Sequence, residues 1–184
     1  MKRKNLFFVS ALILFGLATV NSVKAEDNDV VTVNLKFQPI QSIVVNPDQK
    51  TVDLVYATNA DYANGVSAEM LDHLEVFSTG GFTVTANTGG NFTRTDGGFI
   101  SAADVILKAT QGTSTTIGSF TDVPLSTTPT TLITATEGGT TLKYNVTYDN
   151  TTAGGSNNYI NQYKAADGSE SVYTATVTYT IATN

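Results

Sequence analysis

The residues able to do acid–base or nucleophilic chemistry are few, and their spacing completes no catalytic set. His73 is the only histidine and the chain has no cysteine, which excludes thiol catalysis and multi-histidine zinc sites. A serine triad would need His73 as its base, yet no serine lies in the G-x-S-x-G turn that exposes such a nucleophile. We therefore expect His73 to be an ordinary surface or edge histidine and the chain not to be an enzyme.

Carboxylates are the other candidates for chemistry. A pair suited to glycoside hydrolysis can be drawn from any of the 16 acids, so the sequence leaves that option open. Four acids fall in predicted turns, where local hydrogen bonding explains them: Asp48, Asp96, Asp149 and Asp167. Asp27-Asn28-Asp29 and Asp149-Asn150 cluster oxygen ligands, but neither continues into a calcium loop closed by glutamate. We expect no metal site and no cofactor.

Tyrosines near the C-terminal end are the candidates for a sugar-binding face. Tyr159 and Tyr163 lie in a polar segment before the last predicted strand. Because tyrosine has an apolar ring and a polar tip, it suits either a glycan contact or a plug at one end of the fold. The plug is favoured, and a glycan or cell-wall ligand stays open as a partner.

Strict alternation of apolar and polar residues recurs along the chain and predicts strands with one buried face. It is clearest in VVTVNLKF, TVDLVY, GFTVTA, KYNVTYD and the C-terminal VYTATVTYTI. Between these stretches lie Asn-Pro, Gly-Gly and Asp-Gly pairs, which are typical of tight turns. The pattern predicts an all-β fold, either a β-sandwich or a barrel. Of these we expect an immunoglobulin-like β-sandwich of about seven to ten antiparallel strands. Only residues 60–74 break it, where Val66, Met70, Leu71 and Leu74 have near-helical spacing, so we expect at most one short helix.

The N-terminus has the features of an export signal. A basic start, Lys2-Arg3-Lys4, is followed by an apolar run over residues 6–20 and by Val23-Lys24-Ala25, a small-x-small cleavage pattern. The run is shorter than the roughly 18–20 residues that span a bilayer. We predict a signal peptide at residues 1–25 and a single domain at 26–184, secreted to the periplasm or cell surface with no membrane span after cleavage; a retained anchor is the alternative.

The charge balance limits the partners of the exported chain. Four of the ten basic residues lie within residues 1–25, which leaves six against 16 acids and a formal charge of −10. Such a surface repels nucleic acid and anionic lipid, so we expect no nucleic-acid partner. Without cysteine the domain has no disulfide, and its core and hydrogen bonds must hold it together.

The first predicted strand, within residues 26–38, has two open fates. It can fold back onto its own sheet, or it can insert into a neighbouring subunit or a chaperone, where main-chain hydrogen bonds give affinity and alternate side chains fill pockets. In the second case the pocket-filling residues are Val31, Val33, Leu35 and Phe37.

Both ends of the chain carry a family resemblance. The opening VVTVNLKFQPIQSIVV resembles the N-terminal extension of cysteine-free fimbrial major subunits assembled by chaperone and usher, and the closing VYTATVTYTI is similar to the last strand of those pilins. The close also resembles that of WxL cell-wall surface domains, with Gly81-Phe82-Thr83-Val84 and Tyr179 at the places of their tryptophan motifs, although the chain has no tryptophan.

The resemblance implies an exported bacterial surface protein with a structural or adhesive role. It further implies a fimbria-like subunit that assembles by strand donation. The alternative is a monomeric secreted carbohydrate- or cell-wall-binding module.

Overall fold

The computed structural model describes residues 27–114 and 118–184, and the predicted signal peptide lies outside them. The chain divides into two units, of which the first ends at Lys36 and the second is Phe37–Asn184. In the described part of the first unit, residues 27–36, no helix or strand is present. The side chains of Val31, Val33 and Leu35 are 86, 78 and 81 % exposed.

The second unit is built almost entirely of strands. Its described residues form β1 (Gln41–Val45), β2 (Ser67–Ser78), β3 (Phe82–Thr88), β4 (Phe92–Thr93), β5 (Phe99–Ile100), β6 (Ile106–Gln111), β7 (Ser119–Phe120), β8 (Val123–Pro124), β9 (Thr130–Ala135), β10 (Gly139–Asp149) and β11 (Val177–Thr183). Two short helices, α1 (Asn59–Asn64) and α2 (Thr151–Gly154), and two 3₁₀ turns, Pro47–Gln49 and Ala102–Asp104, complete it.

The strands form two main antiparallel sheets around one core. One sheet has the order β1-β2-β10-β6-β8, the other β11-β3-β9-β7, and β4 pairs with β5 apart from both. The predicted all-β sandwich is confirmed. The eleven described strands exceed the expected number because β4, β5, β7 and β8 have two residues each, too few to show alternation, and α2 is a helix beyond the one expected.

Alternation places the core where the sequence predicts it. In β3, Phe82, Val84 and Ala86 are buried, while Thr83 and Thr85 between them are partly exposed. The opposite sheet supplies Tyr144 and Val146 from β10, and both sets belong to one cluster of buried side chains. Branched threonine favours extended backbone and keeps its hydroxyl hydrated on the outer face.

The helical interpretation of residues 60–74 is only partly right. Helix α1 ends at Asn64, and Met70 and Leu74 lie in β2 instead. Residues four apart share a face in a strand as well as in a helix, so their spacing was ambiguous. A bulge adds to the irregularity, since Asp72 has a φ of +50° and its N–H donates to Asn145 Oδ1 at 2.8 Å.

Candidate functional site

The most distinctive surface feature is an extended segment that has no partner strand. In residues 51–56, TVDLVY, the side chains of Val52, Leu54 and Tyr56 are half-buried and those between them are exposed. Val52 and Leu54 pack against the core. No backbone-to-backbone hydrogen bond joins this segment to another described residue, and it is not part of any sheet. The alternation of half-buried and exposed side chains predicted for a strand is therefore present. The backbone hydrogen bonds that would join it to a neighbouring strand are absent among the described residues.

Strand β11 is the second half of the same feature. It ends its sheet and pairs with β3 only, so its other edge has no partner strand among the described residues. Its inward residues Val177, Tyr179 and Ile181 are half-buried, whereas Phe82 and Val84 on β3 are fully buried. An edge strand with a partly uncovered inner face is a template for pairing with another strand.

The two halves are related through β1. β1, which leads towards residues 51–56, is the edge of the first sheet and contacts β11. We call residues 51–56 together with β11 the open seam. Along it, backbone polar groups that have no partner among the described residues lie next to half-buried apolar side chains. An added strand makes use of both, since it pairs with the backbone groups and covers the apolar side chains.

A chain of side-chain hydrogen bonds, partly buried, joins β11 to the turn that follows β1. Tyr179 and Tyr148 hydroxyls are 2.8 Å apart, and Tyr148 Oη is 2.9 Å from His73 Nε2. His73 Nδ1 is 2.9 Å from Gln49 Oε1. Gln49 Nε2 in turn donates to the Leu71 carbonyl at 2.9 Å. We call Gln49, His73, Tyr148 and Tyr179 the polar relay.

The hydrogen bond from Gln49 to Leu71 determines which atom donates and which accepts in every bond of the polar relay. Because Gln49 Nε2 is the donor there, Gln49 Oε1 must accept, and His73 carries its proton on Nδ1. His73 Nε2 then accepts from Tyr148, and Tyr148 accepts from Tyr179. Every member is satisfied with a neutral imidazole.

Burial keeps His73 neutral. The residue is 1 % exposed, and desolvation, with the positive charge of Lys50 as a smaller cause, lowers the pKa of His73 to about 4. Burial likewise raises the pKa of Tyr179 far above its ordinary value. The expectation of a surface or edge histidine is thus wrong. β2 is an interior strand, and the imidazole is held there by two tyrosines whose inward positions the alternation of β10 and β11 indicates.

The far end of the sandwich is closed by a second polar cluster centred on Asn150. Asn150 Oδ1 accepts from the Tyr56 hydroxyl, while its Nδ2 donates to the Asp104 carbonyl at 2.7 Å and to Tyr159 Oη at 3.1 Å. Tyr159 donates to Asp104 Oδ2 at 2.8 Å. Tyr159 is buried, as expected of a plug, whereas Tyr163 is half-exposed. The hydroxyls of Tyr56 and Tyr159 are used within the protein.

Most acids singled out by the sequence have structural partners. Asp149 binds Lys108 Nζ at 2.5 Å and accepts from Thr151 N and Oγ1. Although its burial acts in the opposite sense, these bonds hold the pKa of Asp149 below its ordinary value. Asp167 accepts from Ser169. Within residues 27–114 and 118–184, no three carboxylate or imidazole groups are placed to share a metal ion.

The four residues expected to mediate subunit contacts are not joined into a strand. Phe37, in the second unit, is 91 % exposed, which matches the exposure of the other three residues, Val31, Val33 and Leu35, in the first unit. Their role stays a prediction.

Two further findings bear on function. No described helix is both long and apolar enough to cross a membrane. No known family model matches the chain, and no curated protein is significantly similar to it.

Proposed function

We propose that this protein is an exported cell-surface structural subunit, fimbria-like and adhesive in purpose, in which residues 31–37 of one copy add to the open seam of the next. The observation that carries the proposal is the open seam itself, an edge strand and an extended segment whose inward side chains are only half-covered. A seam of this kind is stabilised when a strand covers it, because the strand supplies both backbone partners and apolar side chains.

The donor segment matches the seam in chemistry and length. Val31, Val33, Leu35 and Phe37 place an apolar side chain at every second position and are highly exposed. Burying each one would contribute roughly 1.5–3 kcal/mol before the cost of ordering the segment. The seven residues span roughly 23 Å when extended, and β11 also has seven residues.

Chain direction favours donation between copies over folding back. β1 begins at Gln41, opposite Ser78, and β11 finishes at Thr183, opposite Phe82, at the same end of the sandwich. A segment that turned back through residues 38–40 would therefore run parallel to β11. A segment from another copy is free to run antiparallel, which gives the slightly more stable ladder.

The test uses two faces of one segment. In the chain starting at Glu26, Val33→Lys with Leu35→Lys places two charges on the proposed inserting face, and Thr32→Lys with Asn34→Lys places the same charges on the opposite face. We expect the parent and the control to form polymers, seen by light scattering and electron microscopy, and the Val33/Leu35 variant to be monomeric.

The proposal fails if both variants behave alike or if the parent chain is a monomer at every concentration. A persistent monomer that binds peptidoglycan or another glycan would instead support the carbohydrate- or cell-wall-binding module.

A further inference from the structure

The polar relay connects strand β11 to the turn that precedes residues 51–56. Gln49 lies in the turn that precedes residues 51–56, and Tyr179 lies on β11. His73 and Tyr148 between them belong to β2 and β10 of the opposite sheet. The imidazole ring also contacts both tyrosine rings edge-on, with centroids 5.6 Å from Tyr148 and 5.9 Å from Tyr179. Strand β11 therefore covers the histidine on one side.

The surroundings of His73 are suited to the neutral ring only. The groups that face it are Gln49 and Lys50 from the turn, Tyr148 from β10 and Tyr179 from β11. On its own strand, the Asp72 carboxylate binds Thr113 and Lys143. Neither nitrogen of the ring bonds to a carboxylate, so nothing in this set compensates a positive charge.

We propose that His73 is an acid-sensitive latch for β11: its protonation removes the acceptor of the relay and releases the edge strand reversibly, while the rest of the sandwich stays folded. A protonated ring carries hydrogen on both nitrogens and cannot accept from Tyr148. If Tyr148 turned its hydroxyl towards Tyr179 instead, the hydrogen of Tyr179 would lose its relay acceptor. Lifting β11 relieves the conflict because it admits water to the imidazole.

The direction of the pH effect follows from linkage. A hydrated histidine has a pKa near 6.5, and in the closed strand the pKa is about 4. The lifted form therefore binds the proton more readily. The latch is fully closed above about pH 6.5 and weakens as the pH falls through the interval down to about 4.

The consequence for assembly rests on the proposed function. If β11 is the edge that receives a donated strand, acid releases that edge, and we expect the donated strand to bind at neutral pH and to dissociate as the pH falls. The latch itself needs no second copy, so it can be tested in the full chain whether or not the chain polymerises.

The test is amide hydrogen exchange of the full chain, corrected for the intrinsic pH dependence of exchange. We expect the opening constant of β11 to rise about tenfold for each pH unit lost between 6.5 and 4, while the amides of β3 and β9 facing each other stay protected. His73→Gln keeps a polar side chain that cannot be protonated and should make the β11 response flat. Tyr173→Phe is the matched control, because its hydroxyl binds the Gln162 carbonyl outside the relay, and it should respond as the parent does.

A direct titration covers the case in which His73→Gln does not fold. The ¹⁵N shifts of the imidazole should report protonation below pH 5 and an Nδ1–H tautomer above it. The latch is rejected if β11 exchange in the parent is independent of pH, if His73→Gln keeps the full response, or if the ring titrates near 6.5. A responsive β11 in a chain that never polymerises would retain the latch and reject the proposed function, and a polymer with an unresponsive β11 would do the reverse.

Discussion

Asn150 shows how a single buried side chain closes one end of this sandwich. It is 2 % exposed, and its amide satisfies both tyrosine hydroxyls of the end cluster and one backbone carbonyl. Each bond connects a different part of the chain, since Tyr56 follows β1, Asp104 precedes β6 and Tyr159 follows α2. Because a buried polar group without a partner is costly, we expect this residue to matter far more than its exposed neighbours do.

Replacing Asn150 tests whether this one residue contributes more to stability than an exposed asparagine does. Asn150→Ala leaves the Tyr56 hydroxyl and the Asp104 carbonyl without their partner, so we expect a loss of about 2–4 kcal/mol in the free energy of unfolding, measured by urea denaturation. Asn161→Ala, at an exposed position, serves as the control and should change stability by less than about 0.5 kcal/mol. Equal losses in the free energy of unfolding for the two variants would contradict this role of Asn150.

Helix α1 is the element whose limits are set most clearly by local interactions. Thr58 accepts from the Asp61 N–H, and the Asp61 carboxylate accepts in return from Thr58 N at 2.7 Å, which forms a capping box. Gly65 ends the helix with a φ of +73°. A side chain there would also have no space, because a Cβ would lie 2.4 Å from Thr151 Cα. The turn after α1 therefore packs directly on the start of α2.

Alanine substitutions at two glycines separate the cost of backbone strain in the folded state from the effect of reduced backbone flexibility. We expect Gly65→Ala to lower the free energy of unfolding by more than about 1 kcal/mol, because alanine resists positive φ and the added methyl collides with Thr151. Gly89→Ala faces open space and should be neutral within about 0.5 kcal/mol. Thermal and urea unfolding measured side by side provide the comparison, and a neutral Gly65→Ala would contradict the close packing of α1 on α2.

At the scale of the whole molecule, period-two alternation predicted the class of fold and most of the core. It worked for β3, β10 and β11 because one face of β3 and β10 is buried, and one face of β11 half-buried, while the opposite face of each is more exposed. It could not show that residues 51–56 lack a ladder, since alternation reports burial and says nothing of hydrogen-bond partners. For the same reason alternation could not predict the polar relay. It indicates that the tyrosines of β10 and β11 point inward, but only the order of the strands places them next to His73.

The role that we propose for the N-terminal segment requires a second molecule. Its apolar side chains at every other position are exposed, and in our proposal the open seam is the surface that binds them. The proposed assembly requires the N-terminal segment of one copy to bind the open seam of another.

Disulfide trapping measures this most directly, because the chain has no cysteine of its own and a disulfide forms only between residues whose Cβ atoms lie about 4 Å apart. Copies carrying Asn34→Cys are mixed with copies carrying Thr178→Cys or Thr180→Cys on the outer face of β11, or Thr110→Cys on β6 of the other sheet. We predict that a β11 cysteine forms the covalent dimer and that Thr110→Cys does not. Dimers that form equally well with Thr110→Cys, or with none of the three, would contradict strand addition at the open seam.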